Sequence, residues 1–158
     1  MSFTNRHTIQ DNCMRIEIRT IVAGNFVDVY GRFDEDLFRA LLPSFPRVKI
    51  IRFDGSESGD LVHMRFMFPF SFDWISRITD HGISETEAYF VDEGEKLPPG
   101  LRYWKHIHKI EKLDEQNCII LDDITFEGNT KFLNYLFYPF LYASFLPRKS
   151  IYRNYFEK

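Results

Sequence analysis

The chain opens, after a polar stretch from Met1 to Asn12, on a segment in which apolar and polar residues alternate: Met14-Arg-Ile-Glu-Ile-Arg-Thr-Ile-Val-Ala23. A period of two predicts a strand with one face buried. Gly24-Asn25 ends it, and Phe26 to Tyr30 reads as a short helical turn. Asp34 is placed to cap a second helix, with Glu35 and Asp36 at its positive end. Leu37, Phe38, Leu41, Leu42 and Phe45 give that helix one apolar stripe, and Pro43 with Pro46 stop it. The period then returns to two. Strands are predicted over Arg47–Phe53, Asp60–Phe68, Phe70–Thr79 and Glu85–Asp92, with the turn Asp54–Gly59 after the first and a break at Pro69. A loop containing Pro98-Pro99 covers Gly94–Gly100. Arg102–Leu113 and Asn117–Glu127 follow as long strands joined by Asp114-Glu115-Gln116, and one long helix, bent at Pro139 or Pro147, runs from Lys131 to about Phe156.

Short links between consecutive strands require antiparallel pairing, because a parallel pair needs a crossover of about a dozen residues. The terminal helix must then cover one face of the sheet. These elements predict an α+β class, with a polar leader over 1–13 and a single domain over 14–158.

Composition adds one unusual feature, which is 17 Phe, 8 Tyr and 2 Trp among 158 residues. So many rings make either a very aromatic core or the wall of a space for something apolar. A net charge of −3 without a basic stripe argues against nucleic acid. Arg148, Lys149, Arg153 and Lys158 read as cations complementing the negative end of their own helix. Cys13 and Cys118 match no metal or redox spacing, and the leader has no apolar core of a signal peptide. Both features point to reduced thiols in the cytoplasm. Phe132–Leu146 is apolar nearly all round, but as a helix it spans only about 22 Å against a hydrocarbon core of about 30 Å, so no transmembrane segment is expected.

Three spaced motifs, Phe90-x-Asp92, Trp104-x-His106-x-His108-x-Ile110 and Asp122-x-Ile124-x-Phe126, sit within this order of elements. Together they resemble the START/Bet v1-like (SRPBCC) superfamily, in particular its small bacterial ligand-binding, polyketide cyclase/dehydrase-like branch. The resemblance covers about Met14 to Phe156. It departs at Gly128-Asn129-Thr130, where that branch has a Pro- and Gly-containing approach to the last helix. The resemblance implies a helix-grip fold, with a seven-stranded antiparallel sheet curled around a long C-terminal helix and two short helices after the first strand. It also implies an internal cavity that takes a hydrophobic small molecule (lipid, polyketide or similar) or, less often, cyclisation chemistry.

Trp104, His106, His108 and Ile110 share one strand face. With the hairpin centred on Glu115, His108 lies opposite Asp122, His106 opposite Ile124 and Trp104 opposite Phe126. Centred slightly later, His108 meets Asp123 instead. Either carboxylate could orient an imidazole for acid/base work or simply pair with it inside the sheet. His106, His108 and Asp122 are therefore catalytic candidates, although no nucleophile is readable: Glu57 stands where Gly55-Ser-Glu-Ser-Gly59 would need its serine. The two histidines could chelate zinc with a third ligand from His63 or Asp122, but this is a weak motif. No cofactor and no metal is expected. Phe66, Phe68, Phe72, Trp74, Trp104 and Phe126 on strands, with Phe132, Leu136 and Phe140 on one helix face, are either core or ligand-binding wall. The other helix face, Phe137, Leu141 and Phe145, needs cover from a strongly curled sheet, a homodimer partner or a lipid surface. The leading expectation is a small-molecule binder. The alternatives are a cyclase/dehydrase-type enzyme using a His–Asp pair and a membrane-peripheral or protein-interaction module.

Overall fold

A computed structural model describes residues 12–67 and 69–157. Most of the polar leader, Phe68 and Lys158 lie outside the described residues. Seven strands form one antiparallel sheet in the order β1-β7-β6-β5-β4-β3-β2. They are β1 (Met14–Ala23), β2 (Val48–Phe53), β3 (Leu61–Phe66), β4 (Phe72–Ile83), β5 (Glu87–Lys96), β6 (Leu101–Lys112) and β7 (Asn117–Gly128). Two short helices, α1 (Phe26–Gly31) and α2 (Glu35–Leu41), link β1 to β2. The chain ends in α3 (Lys131–Phe145) and α4 (Arg148–Phe156). The sheet curls around these terminal helices, in the helix-grip arrangement that the resemblance implies.

Alternation decides which side faces inward. Ile16, Ile18, Thr20 and Val22 of β1 are buried while their neighbours are exposed. Trp104, His106, His108 and Ile110 of β6, with Cys118, Ile120, Asp122, Ile124 and Phe126 of β7, continue the same inner face. Asp34 caps α2 through Leu37 N, and Asn25 caps α1 through Val27 N. The apolar core has two parts. One gathers α1, α2 and α4 around Phe33, Phe90 and Tyr152. The other gathers Ile16, Trp104, Phe126, Leu141 and Phe145 beneath α3.

Three predicted elements need correction. The strand expected over Phe70–Thr79 is β4, which starts at Phe72 and runs on to Ile83. Register shifts between Ile75 and Ser76 and between Ile78 and Asp80 interrupt its alternation, and such bulges hide a strand's continuation from its sequence pattern. The strand expected to end at Asp92 is β5, which continues through Gly94 to Lys96 because these residues pair with Ser76 and Ile75 of the extended β4. The single long helix is two. Pro139 lies inside α3 without ending it, whereas Pro147, which has no N–H to give, separates α3 from α4.

The helix faces are also exchanged relative to expectation. Leu141 and Phe145 pack into the core, with Phe137 beside them, so the curled sheet supplies the cover they need. Phe132 and Leu136 point outward and are exposed, together with Tyr135. The reason is Asn134, a polar residue buried under α3. Its side-chain oxygen accepts from Gly128 N and its amide donates to Asn12 O at 2.7 Å. This anchor sets which stripe of α3 faces the sheet, and an apolar count around the helix does not register it. Asn134→Ala leaves the buried Gly128 N–H without an acceptor. Urea unfolding is expected to show a loss of about 1–3 kcal/mol; an unchanged midpoint would mean that the anchor contributes nothing.

Candidate functional site

Between α3, the sheet and the segment after α2 lies an open hollow of about 500 Å³. Its wall is mostly apolar: Phe38, Leu41, Met64, Phe66, Phe72, Trp74, Leu101, Trp104, Phe137 and Phe140 contribute. Phe66 stacks on Phe72 at 4.8 Å between centroids, and Trp74 meets Trp104 edge to face at 4.8 Å. Such ring pairs add about 0.5–1.5 kcal/mol each beyond their buried area. Phe45, Phe70 and Phe140 stand exposed at the rim.

One end of the hollow is polar. Asp92, His106, His108 and Arg148 line it, although they come from rows that are otherwise apolar. The β6–β7 hairpin adopts the register centred on Glu115: His108 lies opposite Asp122, His106 opposite Ile124 and Trp104 opposite Phe126. Asp123 points to the other side, where Arg15 binds it through two nitrogens at 2.7 and 2.8 Å. Asp92 in turn lies opposite His106 on β5. A polar belt therefore crosses the inner face from Ser76 through Asp92, His106, His108 and Asp122.

Asp122 is wholly buried. His106 Nε2–H donates to its Oδ1 at 2.9 Å, and the Tyr152 hydroxyl donates to the same oxygen at 3.3 Å. Arg148 stands 3.8 Å from it, with its guanidinium over the Phe145 ring at 4.0 Å. His108 Nδ1 is also 3.8 Å from Oδ1, too far for a hydrogen bond. Asp122 Oδ2, His108 Nδ1 and Asp92 Oδ1 are buried with no hydrogen-bond partner among the described residues.

Burial shapes the protonation states. Desolvation, helped by the charges of His106 and Arg148, pushes His108 well below the ordinary imidazole range, so its ring is neutral. Asp92 is pushed upward by desolvation, although His106, Arg148 and hydrogen bonds from Ser76 and Trp104 pull the other way. Tyr152 is raised by its burial and by Asp122, and stays a hydrogen-bond donor. The site thus combines one buried carboxylate, one guanidinium and a neutral imidazole whose unpartnered nitrogen is held at the end of an apolar hollow. It can hold a carbonyl, hydroxyl or carboxylate oxygen, and it can shuttle a proton through His106 and Asp122.

Of the sequence-derived candidates, Phe66, Phe72, Trp74, Trp104, His106, His108 and Phe140 meet at the hollow. Asp122 sits behind the imidazoles, and Phe126 is buried in the core under α3. Phe132 and Leu136 are outward and do not line it. His63 is also elsewhere, with its Nε2 3.1 Å from Asp73 Oδ1. Sequence reasoning missed Arg148, Asp92 and Tyr152 as parts of the site. Arg148 looked like a dipole partner, but the break at Pro147 turns it inward. Asp92 carried a signal, because it falls on the same strand face as Phe90.

No family model matches the chain, and no curated protein matches it in sequence. Solved structures do. The Zhui aromatase/cyclase from Streptomyces sp. R1128 superposes with a TM-score of 0.70 at 12% identity, over 92% of this chain and 94% of that one. Norcoclaurine synthase from Thalictrum flavum gives 0.64 at 15% identity, over 92% and 95%. Hypothetical protein jhp0584 from Helicobacter pylori gives 0.63 at 14%, over 96% and 90%. The chain has the Bet v1-like helix-grip fold. At these identities the likeness establishes the fold and leaves the chemistry to the residues. Among the described residues of this helix-grip fold, no helix is long and apolar enough to cross a membrane.

The neutral His108 sets a pH dependence. Its folded pKa is depressed, so the unfolded chain binds the extra proton first as pH falls through about 6.5. Folding stability is therefore expected to decline below that point by up to about 1.4 kcal/mol per pH unit for this one proton. Urea midpoints taken in chelator-containing buffer between neutrality and the acid range should show this slope, and His108→Gln should flatten it. An equal slope in the variant would assign the loss to other groups.

Proposed function

We propose that this Bet v1-like domain binds a hydrophobic small molecule in the hollow between sheet and C-terminal helix, with an oxygen of that molecule against the polar end. The observation that carries the proposal is the hollow itself: about 500 Å³ of mostly apolar wall rich in aromatic rings, within the range that takes ligands of ordinary size, ending on buried polar atoms that lack hydrogen-bond partners among the described residues. Aromatic walls supply affinity through burial, and the few polar groups set orientation. His106, His108, Asp92 and Arg148 would make the polar contacts, and Asp122 would hold His106 in its donor tautomer.

A second reading has one specific observation in its favour. His106 is hydrogen-bonded to a buried carboxylate beside an arginine, a combination suited to proton transfer at a carbonyl compound. This supports a cyclase/dehydrase-type enzyme, the activity class in the name of the Zhui aromatase/cyclase. Changing both His106 and His108 to Gln separates the readings, since a binder would change its ligand preference whereas an enzyme would lose turnover while still folding.

Any homodimer through the C-terminal helix would use the exposed row of Phe132, Tyr135 and Leu136. Leu136→Glu should then shift the sedimentation of the wild-type species to that of a monomer. An identical profile for the two proteins would dismiss that partner.

The main proposal is tested with a fluorescent apolar probe followed through Trp74 and Trp104, both in the wall. Met64→Trp puts an indole into the space and is expected to weaken probe binding about tenfold or more, equivalent to about 1.4 kcal/mol. Equal affinity in the two proteins would place the probe elsewhere and overturn the binding reading.

A further inference from the structure

We propose that His106, His108 and Asp122 form a binding site for a divalent transition-metal ion at the polar end of the hollow. From sequence no metal was expected, because two histidines with a third ligand from either His63 or Asp122 make a weak motif. The fold places that third ligand. His106 and His108 are two residues apart on β6, Asp122 is directly across on β7, and one donor atom from each lies within 4.8 Å of the others. The two imidazole centroids are only 3.7 Å apart, and His106 Nε2 and His108 Nδ1 lie 2.9 and 3.8 Å from Asp122 Oδ1.

A satisfied His–Asp pair would account for part of this geometry, but it leaves two donors unused. His108 Nδ1 and Asp122 Oδ2 are buried without a hydrogen-bond partner among the described residues, on residues 8% and 0% exposed. Each such orphan costs about 1–3 kcal/mol unless something binds it. Asp122 supplies the negative charge of the cluster, the Arg148 guanidinium stays 3.8 Å from its Oδ1, and Asp92 lies opposite His106 on β5. Tyr152 is the remaining titratable neighbour and acts as a donor. Two imidazoles and one carboxylate are a borderline donor set, which suits Zn²⁺ and related ions better than Ca²⁺ or Mg²⁺. Binding at His106 Nε2 would displace the proton that it shares with Asp122 Oδ1, and in the neutral ring that proton moves to Nδ1. Three protein ligands leave a coordination position toward the hollow, where the oxygen of the proposed small molecule or a water completes the shell. That last step rests on the ligand-binding reading; ion binding itself does not.

The test uses the full chain, stripped with a chelator and titrated with Co²⁺ alone, read by visible d–d absorption, and with Zn²⁺ alone, read by calorimetry and thermal shift. The expected result is one equivalent bound and a raised melting temperature. His108→Gln is expected to weaken binding by about a hundredfold or more, and Asp122→Asn similarly if it folds, whereas His63→Gln leaves it unchanged. Stoichiometry well below one, or equal affinity in His108→Gln and wild type, would overturn the proposal and leave water as the partner of the orphan atoms. The apolar probe is measured on the same stripped protein, so failure of the hollow and failure of the ion site are read separately.

Discussion

A carboxylate buried on the inner face of a sheet constrains everything around it. Asp122 has no exposure, and a charge so placed needs donors from the protein itself. His106 comes from the neighbouring strand and Tyr152 from α4, with Arg148 at the first position of that helix. These partners are 16 to 30 residues away from Asp122 in the chain, so they meet it only if the hairpin register and the helix break are both right. Removing one donor from such a cluster strands a buried charge, at a cost of about 3–5 kcal/mol. The charge thus couples sheet register, helix geometry and the polar end of the hollow.

The helix break follows the same logic. A continuous helix from Lys131 would carry the α3 stripe onward unchanged. The interruption at Pro147 lets α3 and α4 cover different things: α3 lays Leu141 and Phe145 over Trp104 and Phe126, while α4 seats Tyr152 and Phe156 in the cluster around Phe33 and Phe90. Between the two cores the belt of Asp92, His106 and His108 meets the hollow. The polar residues are where the two apolar clusters are not, and the space left there is accessible from the rim of Phe45, Phe70 and Phe140.

Much of this was legible in the chain before its structure. Alternation is clear in β1 and in most of β6, so those strands follow from counting, which left His108 opposite either Asp122 or Asp123; the structure pairs it with Asp122. The α+β class followed from short links and a terminal helical region, whereas the curled seven-stranded sheet was what the family resemblance implied. What was not legible depends on single-residue events. Two bulges in β4 shift the pattern and conceal its last residues. Asn134 looks like a polar interruption in an apolar helix and is instead its anchor. Arg148 belongs to a basic helix by composition and to the site by geometry, because only the turn at Pro147 aims it inward. His106 donates its hydrogen bond diagonally to Asp122, although His108 is the residue directly opposite, and side-chain reach of this kind is absent from a register diagram.

The central claim is that the polar belt contacts whatever fills the hollow. Long-range ¹H–¹⁵N spectra of the imidazoles test it most directly, recorded on chelator-treated protein before and after saturation with an apolar ligand carrying one carbonyl. His106 should show a protonated Nε2 in both states, and His108 a neutral ring whose nitrogen shifts move when the ligand enters. His63 and His81, which bond to Asp73 and Ser58, should not change. Saturation of the ligand without any change at His108 would contradict the account.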